Sequence, residues 1–247
     1  VPSGASYPLS IRDTYRKIYP DFFEKLKIKP IKGYPSILEE AMNYVSCGGI
    51  NVVLTPGRFN SAYYEHAYLA RKIGAQLVRN DELIVKDKIL YFKNYNGQLI
   101  KVGAVYRRLD DEFLDPKFFN EESLIGVPGI MEVYLAGNVA IMNAPGNGIA
   151  DDKGIYYFVP KMIEYYLGEK PILRNAPTYL PYFENDKKYV FENMHKLVIK
   201  DVAEAGGYGV MFGHAMSKIQ LDDLKTIISA NPRRFIAQEL IEFYDEE

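Results

Sequence analysis

Apolar positions recur at helical spacing twice in the first fifty residues, over Ile11 to Tyr19 and over Ser36 to Val45, and Cys47-Gly48-Gly49 ends the second run. The period then changes. Ile50 to Thr55 is a short apolar, β-branched run closed by Pro56-Gly57, which predicts a buried strand delivering a loop at its C-terminal end. Asn60-Ser61 can cap a helix over Ala62 to Lys72, and Gln76 to Val78 is the next predicted strand, so this stretch is a β-loop-α-β unit and favours a parallel sheet. Leu83 to Val85 and Ile89 to Phe92 read as a hairpin turning through Lys86-Asp87-Lys88. Ala104 to Arg108 reads as a strand running into Asp110-Asp111-Glu112. After the Val127-Pro128-Gly129 turn, Val139 to Met142 is a strand ending in Asn143-Ala144-Pro145-Gly146-Asn147-Gly148. A helix follows from about Asp151 to Leu167, with Asp151 and Asp152 at its positive end. The last third predicts a strand (Leu197 to Lys200), a glycine loop (Gly206-Gly207-Tyr208-Gly209), a strand (Val210 to Phe212), a helix (Ser217 to Ser229) and a strand (Arg234 to Leu240). The weakest joint lies over Asn175 to Asp186, where Pro177, Pro181 and polar residues cluster.

Composition narrows the function classes. Thirty basic against thirty-two acidic residues give a net charge of -2, so no broad positive field invites a phosphodiester backbone and nucleic acid is not an expected partner. No apolar run approaches the roughly 20 residues of a spanning helix, and Val1 to Ser10 lacks the order of a signal peptide, so no membrane is expected and the expected location is the cytoplasm. One cysteine and three histidines argue against a thiolate or imidazole metal cage; a metal here would be held by oxygen.

Several elements then carry candidate chemistry. Lys200 ends an apolar strand six residues before Gly206, and glycines that let backbone N–H groups approach oxygens, beside an ammonium, suit a triphosphate. It is neither a Walker A loop nor a Rossmann fingerprint, since no Gly-Lys-Ser/Thr and no helix follow the glycines. Taken alone, a strand-end lysine and a hairpin turn are the simpler interpretation. Gln238-Glu239 ends a strand that could read an adenine amino group, or be an ordinary amphipathic edge. Arg107-Arg108 against Asp110-Asp111-Glu112 can hold Mg²⁺ through carboxylates while arginine clamps phosphate; a solvated salt-bridge cluster is the plain alternative. Asn143 and Asn147 can add neutral oxygen ligands or simply tolerate left-handed backbone.

In order along the chain, LTPGRFNSAYYEHAYLAR, VYRRLDDEFLDP, VPGIMEVYLAGNVAIMNAPGNGIADDK, VPKMIEYYLGEKPIL, LVIK, AGGYGVMFG and FIAQE resemble successive blocks of the circularly permuted ATP-grasp proteins. Their arrangement is similar to the synthetase domain of glutathionylspermidine synthase. The resemblance implies an ATP-grasp fold of α+β lobes, circularly permuted, with an N-terminal parallel-sheet lobe of α/β type. It divides the chain into a substrate-side lobe (1–102), a metal-binding and catalytic part (103–175) and an ATP-binding lobe with a glycine flap (176–247). Its activity would be carboxylate phosphorylation by ATP followed by attack of an amine, with ATP and Mg²⁺ as cofactors and small-molecule carboxylate and amine substrates.

The same resemblance implies that Lys153 and Lys200 are the two ATP lysines. Gly206, Gly207, Tyr208 and Gly209 would form the flap, and Gln238 and Glu239 would sit at the adenine. Arg107 or Arg108 would neutralise the acyl-phosphate, and Asp110 would be the first metal ligand. Ile141 stands where the glutamate of the family's Glu-x-Asn metal pair is expected, so Asn143, Asp111 and Asn147 are the remaining metal candidates. Thr55, Gly57, Asn60, Ser61, Tyr64 and Glu65 fall where substrate binds in such folds, whereas His66 reads as a packed helix residue. A phosphotransferase and a non-catalytic nucleotide-binding module remain rival functions. A homo-oligomer or a partner protein is equally compatible with the sequence.

Overall fold

The computed structural model describes residues 4–31, 33–203, 207 and 209–241. The chain forms two compact units, Val1–Gly146 and Asn147–Glu247. Neither expected division, at 102/103 or at 175/176, coincides with this boundary. The first would cut a continuous strand, and the second would separate a helix from the sheet of its own unit.

In the first unit, α1 (Ser6–Ile18), α2 (Pro20–Lys25) and α3 (Gly33–Val45) precede β1 (Ile50–Leu54). Then come α4 (Tyr63–Lys72), β2 (Gln76–Val78), β3 (Leu83–Lys86), β4 (Ile89–Lys93), β5 (Leu99–Arg107), α5 (Asp111–Leu114), α6 (Ile130–Leu135) and β6 (Ala140–Met142). The sheet runs β2-β1-β5-β4-β3, and β6 also pairs with β5. Strands β1, β2, β5 and β6 are mutually parallel, with Leu54 opposite Arg107 and Tyr106 opposite Met142, while β3 and β4 are an antiparallel extension. Asp87 and Lys88 both take positive φ, 51° and 56°, which is the twist a two-residue hairpin loop requires. The buried run expected of a parallel strand is met in β1, where Val52, Val53 and Leu54 have no exposed surface. Side chains alternate: Val52, Leu54 and Val105 pack with Leu114, Ile130 and Val133 on one face, and Val53, Ala104 and Tyr106 with Met42, Tyr68 and Leu69 on the other.

The second unit contains α7 (Lys153–Leu167), β7 (Thr178–Tyr179), α8 (Glu184–Asn193), β8 (Leu197–Asp201), β9 (Val210–Phe212), α9 (Lys218–Ala230) and β10 (Phe235–Glu239). Its sheet is antiparallel in the order β7-β10-β8-β9. Leu197, Ile199, Phe235 and Ala237 pack one face against Val190 of α8 and Leu224 and Ile228 of α9. Across the other face, Leu180, Val202 and Ile236 meet Tyr157 and Phe158 of α7. Ser217 caps α9 with a reciprocal box to Gln220, and Asp152 caps α7 by accepting from Gly154 N at 2.7 Å. The stretch expected to be a joint, Asn175 to Asp186, instead supplies the edge strand β7 and the start of α8.

Candidate functional site

In the first unit the parallel strands β1, β5 and β6 end together. This brings Thr55, Arg107, Arg108 and Asn143 to one edge, the place where open α/β sheets bind ligands. The two arginines are adjacent in sequence and are sent to opposite faces by strand alternation. Arg107, 6% exposed, points to the side of Val105. Its Nε donates to the Asn143 carbonyl, Nη1 to Leu109 O at 2.6 Å and Nη2 to Ala144 O at 3.2 Å, and Nη2 also faces Asp111 Oδ1 as an ion pair. Asp111 Oδ2 accepts from Gly146 N at 2.9 Å. The Arg107–Asp111 pair therefore staples the 143–146 loop to the start of α5. Arg107 and Asp111, expected in catalysis and metal binding, are thus engaged with each other and with the loop in this arrangement.

Arg108 follows Tyr106 to the other face. Its side chain is 7% exposed, its Nη2 lies 2.7 Å from Glu65 Oε1, and its Nε has no hydrogen-bond partner among the described residues. Its backbone N–H donates to Leu54 O at 2.8 Å, extending the β1–β5 pairing to the loop. Tyr106, which sequence reasoning passed over, is 3% exposed. Burial pushes its hydroxyl above the ordinary phenol value, and the neighbouring Arg108 pulls it back. The signal available for Tyr106 was its parity with Arg108 along one strand.

The candidate substrate residues separate sharply. Thr55 is 1% exposed, and its Oγ1 meets His66 Nδ1 at 2.8 Å and accepts from Gly57 N at 3.2 Å. Glu65 has no exposed surface. Both side chains, expected at the substrate, are buried and bonded within the protein in this arrangement. Gly57, at φ 105°, holds the loop in a conformation that favours glycine. Asn60 Oδ1 accepts from Ala62 N at 2.9 Å, ahead of α4, and Asn60 and Ser61 are exposed. Tyr64, also exposed, lies 2.6 Å from Ser10 Oγ through its hydroxyl and stacks on Tyr7. His66 is 1% exposed, and burial, followed by the Arg108 charge, lowers its pKa to about 4, so it is a neutral packed residue as expected.

Asp110 is exposed at the N-cap of α5; its carbonyl accepts from Phe113 N at 3.1 Å, and its carboxylate engages no other described residue. Asn143 sits at positive φ, 61°, and its Nδ2 donates to Arg107 O at 3.1 Å, so it holds the loop turn. Asn147 is exposed in a single 3₁₀ turn of the second unit. Among the described residues no group of three or more His, Cys, Asp or Glu could hold a metal ion unaided. Magnesium bound with a nucleotide asks for less, since phosphate oxygens and water fill most of its shell and one or two carboxylates complete it. Asp110 meets that demand.

In the second unit, Lys200 and Gln238 project from the sheet face opposite the α8–α9 core. Lys200 Nζ donates to Gln238 Oε1 at 2.6 Å, and Gln238 Nε2 donates to Thr178 Oγ1 at 2.8 Å. Gln238 therefore orients the lysine, which among the described residues keeps two N–H donors unused. Glu239 has the opposite parity: its side chain accepts from Tyr179 OH at 2.8 Å, and its N–H is taken by Pro177 O at 3.0 Å. The pair expected at an adenine is thus split between two faces, and Thr178, unmarked in the sequence, joins Gln238 instead. Lys153, the first residue of α7, donates through Nζ to Asp201 O at 2.9 Å, and its backbone N–H donates to Val202 O at 3.1 Å. Asp201, 5% exposed, accepts from Arg234 Nε and Ala203 N. These bonds bring the two candidate lysines to neighbouring points at the end of β8. Gly207 and Gly209 take positive φ, and Gly209 O accepts from Asp201 N at 3.2 Å. Gly206 and Tyr208 lie outside the described residues.

A mixed α/β chain with a partly parallel sheet is the fold class the sequence blocks implied. The profile of the circularly permuted ATP-grasp type 2 family matches residues 1–246, and the chain belongs to that family. Proteins of this fold bind ATP and Mg²⁺. It is 47% identical over 98% of its length to an uncharacterized protein of Synechocystis sp., covering 51% of that relative. An uncharacterized protein of Mycobacterium tuberculosis is 40% identical over 98% of the chain and 44% of the relative. A provisionally named glutamate–cysteine ligase 2-2 of Frankia casuarinae is 34% identical over 98% of the chain and 28% of the relative. The chain thus spans about half, or less, of the curated relatives it matches. Among the described residues no helix is long and apolar enough to cross a membrane.

Proposed function

We propose that this chain supplies the nucleotide-handling machinery of a Mg²⁺- and ATP-dependent ligase that joins a carboxylate to an amine. The observation that carries the reading is the Lys200–Gln238–Thr178 chain: an oriented ammonium, with two donors to spare among the described residues, on the sheet face opposite the α8–α9 core, where α7 packs on Ile236. Lys153 and Lys200 bind phosphate oxygens. Asp110 provides the protein's carboxylate to Mg²⁺. Arg108 offers its remaining donors to the transferred phosphoryl group.

In the reaction, a substrate carboxylate oxygen attacks the γ-phosphorus of ATP, releasing ADP and forming an acyl-phosphate. An amine then attacks the acyl carbon, phosphate departs, and the amine proton passes to solvent. The protein's part is positioning and charge stabilisation, with no covalent protein intermediate. The Frankia relative is named as a glutamate–cysteine ligase, which is a carboxylate–amine ligation of the same reaction class. The location consistent with ATP as substrate is the cytoplasm.

Calorimetric titration with Mg²⁺ and the non-hydrolysable analogue AMP-PNP tests the reading. Wild type should bind, and Lys200→Met should weaken binding about tenfold or more, the worth of one charge-assisted hydrogen bond to phosphate. Equal affinities for the two proteins, or no binding by a folded wild type, would refute it.

A further inference from the structure

We infer that Glu65 is a positioning residue for Arg108, and that the first turn of α1 completes the seat. The inference rests on the reading of Arg108 as the arginine that meets the transferred phosphoryl group.

Glu65 lies in the first turn of α4 with no exposed surface, and its two oxygens have separate partners. Oε1 faces Arg108 Nη2 at 2.7 Å, and Oε2 accepts from Ser6 N, the first residue of α1, at 3.2 Å. A carboxylate pinned at one oxygen by a backbone amide cannot follow a moving guanidinium with the other, so the Nη2 end of Arg108 has a fixed anchor. The Nε, buried and without a partner among the described residues, is the donor that this anchoring leaves unspent. The tyrosine on the same strand face supports this arrangement, since Tyr106 lies against Arg108 with the Arg108 Cζ 6.0 Å from its ring centroid.

Burying two ions is expensive, and an apolar pair of the same volume usually stabilises a core at least as well. Stability alone therefore gives no account of the Glu65–Arg108 pair. Orientation does, because a phosphoryl-binding arginine must be held in place before the charge arrives. Sequence reasoning put Glu65 among the substrate ligands; its burial and its partners assign it a role through Arg108.

A double-mutant cycle read by nucleotide preference tests the inference. Titrations with Mg²⁺–AMP-PNP and Mg²⁺–ADP give a preference for the third phosphate, and Arg108→Met should abolish it. Glu65→Gln should cut the preference about tenfold in the wild-type background and not at all in the Arg108→Met background, as expected for two residues acting as one unit. Should Glu65→Gln fail to fold, Glu65→Asp keeps the charge, withdraws it by one methylene, and should lower the preference in the same direction. If Arg108→Met keeps the preference, or wild type has none, the role of Arg108 falls and this inference with it. If Arg108→Met loses the preference while Glu65→Gln or Glu65→Asp keeps it, Glu65 is only a packing residue and the inference alone is overturned. A purely structural role would lower the melting temperature and weaken both nucleotides equally, which also overturns it.

Discussion

His66 makes acid sensitivity of the first unit a quantitative expectation. The imidazole is 1% exposed, its Nδ1 meets Thr55 Oγ1 at 2.8 Å, and the Arg108 guanidinium adds its charge to the cost of protonation. Its folded pKa is about 4, against 6.5 in an unfolded chain. The unfolded state therefore binds a proton between these values while the folded state does not. Stability is fully present above about pH 6.5, declines as pH falls, and stops declining on this account below about pH 4. The gap corresponds to on the order of 3 kcal/mol, with a steepest slope of about 1.4 kcal/mol per pH unit. Urea unfolding followed by far-UV circular dichroism at several pH values from 7.5 to 4.5 measures it. His66→Asn isolates the effect from carboxylates titrating nearby, since an amide can take over the bond to Thr55 without a proton-binding ring nitrogen. The wild-type curve should fall away from the variant's curve as pH drops below 6.5. Parallel curves for the two proteins would mean that His66 gains its proton in the folded state and that burial does not hold it neutral.

Two further expectations follow from packing. Arg107→Met leaves the Asn143, Leu109 and Ala144 carbonyls and the Asp111 carboxylate without their donor, which should cost about 3 kcal/mol in urea unfolding; a loss below about 1 kcal/mol would refute the staple. Gly213→Ala would drive a Cβ into the Met194 carbonyl, itself backbone, whereas Gly33→Ala meets nothing within 4 Å. The first should cost about 1–3 kcal/mol and the second close to nothing, and equal melting temperatures for the two variants would count against the close approach.

The long periodic segments were legible because each buries one continuous face. The β1-loop-α4-β2 unit and the helix capped by Ser217 fell within a residue or two of their sequence-based bounds. Elements that bury little escaped. Helix α8 buries only Val190 within its span, and β7 is two residues long with both half-buried, so neither left a periodic trace. Strand β5 begins at Leu99, five residues before the expected Ala104, because Leu99 to Lys101 pairs with β4 while remaining largely exposed. Among site residues, type and spacing marked Lys200, Arg108 and Asp110 as candidates, and the family resemblance added Lys153. They could not separate Arg107 from Arg108, or Gln238 from Glu239, because neighbours in a strand differ in the face they take, and face is set by what packs there.

That alternation gives a rule for choosing among candidates of the right chemical type. A group can act on a ligand only with donors or acceptors its own protein has not used. Arg107 has spent its Nε and both terminal nitrogens on the 143–146 loop, Leu109 and Asp111, whereas Arg108 spends Nη2 on Glu65 and keeps Nε. Asp111 is held by Arg107 and Gly146, whereas Asp110, one residue earlier at a helix N-cap, faces solvent. Glu239 is tied to Tyr179, whereas Gln238 passes its hydrogen bonds on to Lys200. At each pair of adjacent residues one member builds the edge and the other is left to work from it. On this rule the proposed reactive set is smaller than the sequence blocks suggest, and the residues subtracted from it are the ones that hold the remainder in place.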